Sequence, residues 1–193
     1  MKIALVVSHK AVVVDVTITN AWSEKLYIAN YNFDYYGLLG EFKHDYSRNH
    51  NALPTRSLAY ASIDGETLTL LQGNGPPPPP DIQVIAPRLA LYSRLLPAET
   101  VTERIQVPLP ICEWDAYNDP EVDGAIEVDV SRVSLSVEYL RESMTQSITP
   151  HPSFRDVFDI SGYPRGKLTA SADLPKAVKG HKRPKAPKRV PVY

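Results

Sequence analysis

The side chains of this chain that could do chemistry begin with an acidic loop, Asp115-Ala116-Tyr117-Asn118-Asp119-Pro120-Glu121-Val122-Asp123-Gly124. It gathers the hard oxygen donors that Ca²⁺ takes. Its spacing is not that of an EF-hand, and a solvated acidic turn between strands accounts for it without an ion. His44, Asp45 and His50 could approach one metal. A structural zinc site, however, wants four ligands rich in sulfur or imidazole, and neither Cys112 nor any close cluster completes such a set. Nucleophilic catalysis needs Ser or Cys beside an oriented base. The chain has no G-x-S-x-G elbow, no H-E-x-x-H and no Cys-His signature. Cys112, between Ile111 and Glu113, reads as a small residue at least half buried. Gly73-Asn74-Gly75 runs straight into proline, which cannot supply the row of N–H groups a phosphate cradle requires. The expectation is no catalytic residue, no metal ligand and no cofactor.

Two stretches point to recognition instead. Between Tyr27 and Tyr46 the aromatic residues Tyr31, Phe33, Tyr35 and Tyr36 are interleaved with polar and charged ones. Tyrosine offers a rigid amphipathic surface with a hydrogen-bonding tip, which suits a protein partner; the same rings could equally close one end of a sandwich. The C-terminus is Pro-rich and basic, with Lys182, Arg183, Lys185, Lys188 and Arg189 as its charged core. Pro184 to Arg189 fits a PxxPx+ pattern. No aromatic residue stands among these lysines before Tyr193, so base stacking is not indicated and nucleic acid is not favoured. An acidic protein, a second copy of the chain, or the chain's own acidic body are the partners this charge would suit.

These groups sit on a chain of 193 residues with 43% hydrophobic and 22% charged residues, enough for one core and a tail. The net charge of −1 hides an asymmetry. From Leu174 onward there are seven Lys or Arg and no Asp or Glu, which leaves −8 on the preceding residues. One cysteine excludes an internal disulfide and suits a reducing compartment, so a cytoplasmic location is expected. No apolar run approaches the roughly 20 residues that span a bilayer, so no membrane partner is expected.

Positioning falls to strands. Ala11 to Asn20 alternates Val12, Val14, Val16 and Ile18 with Asp15, Thr17 and Thr19, and a hairpin-like turn bearing Trp22 leads to Leu26 to Asn30. Ser57 to Leu71 reads as a hairpin about Ile63-Asp64-Gly65-Glu66. Arg88 to Pro110 organises the chain as two strands around a corner at Leu96, Pro97 and Ala98. Its apolar parity carries Leu89, Leu91 and Leu95, then Val101, Ile105 and Val107; Ala90, Tyr92 and Arg94 fall on the water face. In Ala125 to Leu140 the apolar parity changes from even to odd, which predicts a β-bulge or a crossover at Ser131-Arg132. Phe154 to Ile160 reads as a last short strand or a helical turn, anchored by Val157 and Phe158.

The order VTITNAWSEKLYIANYN, then LYSRLLPAETVTERIQVPLPI, then RVSLSVEYL, resembles bacterial immunoglobulin-like modules, and the layout is similar to intracellular proteinase-inhibitor domains of the BsuPI type. In those modules a strand ending in Asn precedes a short apolar strand, and a Pro-Gly-Glu corner precedes a long edge strand. Here the corner reads Leu96-Pro97-Ala98-Glu99, with Ala in the glycine position. The expected fold is all-β, an immunoglobulin-like antiparallel β-sandwich over residues 1–160 with a basic Pro-rich extension over 161–193. The expected function is non-enzymatic protein binding within a complex, through loops, an edge strand and the basic tail. Two alternatives stand beside it: an inhibitor that plugs an intracellular enzyme with an exposed loop, as the BsuPI likeness implies, and a structural subunit of an assembly.

Overall fold

Alternating side chains build nearly every element of this protein. The computed structural model describes residues 1–33, 54–57, 59–74, 90–113, 126–162 and 165–182. In chain order the strands are β1 (Lys2–Val7), β2 (Ala11–Thr19), β3 (Leu26–Phe33), β4 (Pro54–Arg56), β5 (Tyr60–Asp64), β6 (Thr67–Gln72), β7 (Leu91–Leu95), β8 (Thr100–Pro108), β9 (Ile111–Cys112), β10 (Ile126–Arg141), β11 (Thr145–Pro150), β12 (Val157–Gly162) and β13 (Gly166–Lys182), with one 3₁₀ turn at Glu142–Met144. The fold is all-β.

A small antiparallel sheet has the order β1-β2-β8. Its register sets Val12 opposite Val107 and Val14 opposite Ile105, so the β-branched parity of both strands faces one way. A large sheet runs β11-β12-β7-β3-β10-β13-β9, with β4 on β3 and the β5–β6 hairpin joined to β10. The two sheets pack as a sandwich on one cluster. Val12, Val14, Val16, Ile18, Ile105 and Val107 meet Leu26, Ile28, Leu68, Leu70, Val133, Leu135 and Val137 there. Each such side chain withdrawn from water contributes about 1.5–3 kcal/mol, which is what holds two twisted sheets face to face.

The parity change in the longest apolar strand is a bulge at the expected place. The register of β10 against β13 shifts between Val130 and Arg132. The amides of Ser131 and Arg132 both donate to the Glu66 carbonyl, at 2.9 and 3.3 Å. On the β13 side four residues, 174–177, stand opposite Ser131 alone, and across this irregularity Val130 and Val133 bury in the same core. The β5–β6 turn differs slightly from expectation. Asp64 pairs with Thr67, so the two central residues are Gly65 and Glu66, and Gly65 alone takes a positive φ, +55°.

Four other expectations are corrected. Leu26 to Asn30 does not form a hairpin with the preceding strand: β2 lies in the small sheet and β3 in the large one, so the turn at Trp22 is a crossover between layers. The sandwich is not wholly antiparallel either, because β6 pairs parallel to β10 and β9 parallel to β13. A parallel pair needs a long return path, which the intervening strands provide. The water face assigned to the organising stretch is buried at Ala90 and Tyr92. A second cluster of Tyr27, Ala29, Ala90, Tyr92, Leu140 and Ile160 covers the outer side of the large sheet there.

The largest correction concerns the tail. Residues 166–182, placed in the extension by composition, form β13 and pair along β10 from Tyr139 opposite Gly166 to Ile126 opposite Lys182. Leu174 and Val178 reach the main core. The backbone bonds and these two anchors offset the entropy cost of ordering a stretch rich in lysine and alanine. Residues 183–193 lie outside the described residues.

Candidate functional site

Strand β8 carries one charged residue on its apolar parity, Glu103, between Val101 and Ile105. Its carboxylate is fully enclosed and faces the large sheet. The Arg56 guanidinium donates to Oε1 at 3.1 Å, and the Asn30 amide also donates to Oε1. Ser57 and Gln72 approach Oε2, each at 3.4 Å. Asn30 in turn accepts from the Ser93 hydroxyl at 2.6 Å. The cluster therefore draws on β8 from one layer and on β3, β4, β6 and β7 from the other. With its oxygens engaged by a cation, two amides and a hydroxyl, this carboxylate is suited to fixing how the layers register and not to accepting a substrate proton. The sequence signal was present: a glutamate in the inward position of an alternating strand.

The chemistry that remains open belongs to strand edges, where unpaired N–H and C=O groups can receive another chain. Most edges of this sandwich carry a device against that. The inward Glu103 and the Arg104–Asp15 pair, at 2.7 Å, mark β8. The Arg104 guanidinium holds the Asp15 carboxyl below its ordinary value, so the pair stays charged on the sheet surface. Lys2 lies on the exposed parity of β1, and Asp64 ends β5. β9 has two residues, and β4 has three and begins at Pro54.

Strand β11 is different. Its sequence, TQSITP, has no ionisable side chain, its last five residues are exposed, and among the described residues it pairs only with β12. Ile148 lies opposite Ile160, so the two share a face, and Ile160 belongs to the outer cluster with Tyr27 and Tyr92. The apolar row on that side of the large sheet thus ends at Ile148, which is 38% exposed. Both ends of β11 are anchored. On one side the Glu142–Lys25 pair closes at 2.6 Å and Glu24 takes the Ser143 amide at 2.8 Å, which holds the Glu24 carboxyl below its usual range. On the other the His151 amide donates to the Val157 carbonyl at 2.8 Å. Composition hid this strand from sequence reasoning, because a polar run with one isoleucine has no apolar alternation.

Of the recognition residues expected from sequence, Tyr31 lies half buried in β3 opposite Arg56 and Leu91, and Phe33 ends that strand opposite Pro54. Lys182 ends β13 opposite Ile126. Tyr35, Tyr36, Arg183, Lys185, Lys188 and Arg189 lie outside the described residues, as do the acidic loop 115–124 and His44, Asp45 and His50. The structure does not bring the tyrosines and the basic residues together among the residues it describes. Part of the tail's charge is used internally: Lys179 pairs with Glu127 at 2.9 Å and Asp129 at 3.1 Å, and these bonds raise its ammonium above the ordinary lysine range. Among the described residues no three His, Cys, Asp or Glu side chains come together as a metal site, and no helix is long and apolar enough to cross a membrane. No family model, no curated protein and no solved structure matches this chain.

Proposed function

We propose that this protein is a non-enzymatic protein-binding module that takes part in an assembly by strand addition at β11. One observation carries the reading: β11 is an edge with no charge and no inward-pointing ionisable group, on a sandwich whose other described edges are charged or short. Added strands gain affinity from main-chain hydrogen bonds and specificity from alternate side chains. Here the alternate position is Ile148, at the end of an apolar row. The immunoglobulin-like character of the sandwich belongs to the same proposal. It is supported by β2 and β8 pairing in one sheet while the chain leaves that sheet for β3 at Asn20 and returns to it from β7 through the Leu96–Glu99 corner.

The experiment is capture of partners from the native host by the full chain, side by side with Ile148→Lys, with identification by mass spectrometry. The variant alters an exposed side chain and leaves the core untouched, so it should fold. Loss of the specific partners with an unchanged melting temperature is the expected result. An identical partner set for both proteins removes β11 from the binding function.

A further inference from the structure

We propose that the chain which pairs with β11 is β11 of a second copy, antiparallel about a twofold axis near Ile148, so that two large sheets become one continuous sheet. This rests on β11 being the binding edge. An edge that pairs with itself meets its own sequence in reverse, so each ionisable residue near the axis meets a like charge or lies beside one. TQSITP has none, so no self-register is penalised by like charge. The contrast is β8, where a twofold through Glu103 or through Arg104 at mid-strand would set like charges against each other.

The ends of β11 agree with this. Antiparallel pairing brings the Thr145 end of one copy against the Pro150 end of the other. At the first end Glu142 is paired with Lys25 and Glu24 with Arg141, at 2.6 and 3.4 Å. At the second, Asp156 lies between Arg94 at 3.5 Å and Arg155 at 3.7 Å. The guanidinium of Arg155, whose side chain is 97% exposed, can turn toward the acidic partners of the opposite copy.

Apolar continuity specifies the occupant further. The row formed by Phe158, Ile160 and Ile148 leaves its last member at the edge, and a twofold places the second Ile148 beside the first. Each then covers what the other exposes. A six-residue edge buries less than a standard interface, so the association is a weak equilibrium at low concentration.

Sedimentation velocity of the full chain from about 1 μM to about 1 mM tests this over the range where weak complexes become populated. The wild type should shift from monomer to dimer. Ile148→Lys and Ile148→Glu should each stay monomeric, and their equimolar mixture should recover the dimer, because Lys now meets Glu across the axis. Val6→Lys, an exposed position on β1 of the other sheet, should dimerise as wild type does. A wild type that stays monomeric throughout, or an Ile148→Lys variant that dimerises normally, overturns the second-copy assignment. The edge itself is judged separately by partner capture, which a monomeric wild type would leave intact.

Discussion

Ala98 donates its amide to the carbonyl of Asn20 at 2.9 Å from a left-handed backbone, φ +63°. The Asn20 amide returns a bond to the Glu99 carbonyl at 2.9 Å. The buried Asn20 side chain completes the junction: Nδ2 donates to the carbonyls of Glu24 and Leu95 at 2.9 and 3.1 Å, and Oδ1 accepts from the Trp22 amide at 3.0 Å. Two passages of the chain between layers, β2 to β3 and β7 to β8, are tied together here.

The two residues should respond in opposite directions. Asn20→Leu leaves buried backbone groups without partners, each costing about 1–3 kcal/mol, and should lower stability by about 2–4 kcal/mol. Ala98→Gly should raise it by about 0.5–1 kcal/mol, since relief of a left-handed alanine exceeds the extra entropy glycine loses. Urea unfolding of both variants measures this; a destabilised Ala98→Gly would count against strain at the corner.

Replacing Glu103 by Leu should cost about 2–4 kcal/mol, because the Asn30 and Gln72 amides lose their acceptor inside the sandwich. Arg56 is 44% exposed and can turn to solvent, so it adds little to that loss. Chemical denaturation is the measurement, and a change below about 1 kcal/mol would mean the polar cluster does not register the sheets.

Alkaline stability should depend on Tyr92. Burial pushes its phenol up to about 12, against the opposing pull of the nearby Arg165 charge. The proton is held more tightly in the folded chain than in the unfolded one, where the phenol titrates at 10.0. The contribution is therefore complete below pH 10 and lost as pH rises toward 12, by about 2–3 kcal/mol. Tyr27 is also raised by burial and acts in the same sense. Melting temperatures from pH 8 upward should fall for wild type and fall less for Tyr92→Phe; parallel curves would exclude the assignment.

Deleting Ser131 should be far worse than mutating it. With the register of residues 132–141 kept, the deletion turns Val130 out of the core and Asp129 into it, which costs well over about 3 kcal/mol. Ser131→Ala loses only an exposed bond to Glu66 at 2.8 Å and should cost less than about 1 kcal/mol. Soluble yield and a circular dichroism melt separate the two, and a deletion variant as stable as Ser131→Ala would show that the bulge does not set the register.

The candidate edge was poorly legible because its features are relational. TQSITP becomes an edge only when β12 pairs with one side of it and no described strand pairs with the other. Ile148 becomes the end of an apolar row only when Ile160 stands opposite. Glu103 lay in plain view on an inward parity, yet its four partners come from Asn30, Arg56, Ser57 and Gln72, separated from it by 31 to 73 residues.

What the sequence determined by itself is what side-chain period and backbone chemistry decide locally. The alternation of Val12 to Ile18, the bulge at Ser131-Arg132, the corner at Leu96 to Glu99 and the all-β class all follow from residues within one strand or turn. Tertiary structure alone decided which strands are neighbours, because main-chain hydrogen bonds carry no sequence label. A lysine-rich stretch such as Gly166–Lys182 becomes a strand when the long β10 lies beside it, and a polar run such as Thr145–Pro150 becomes an open edge. Pairing energy is non-local, and periodicity within one strand does not record it.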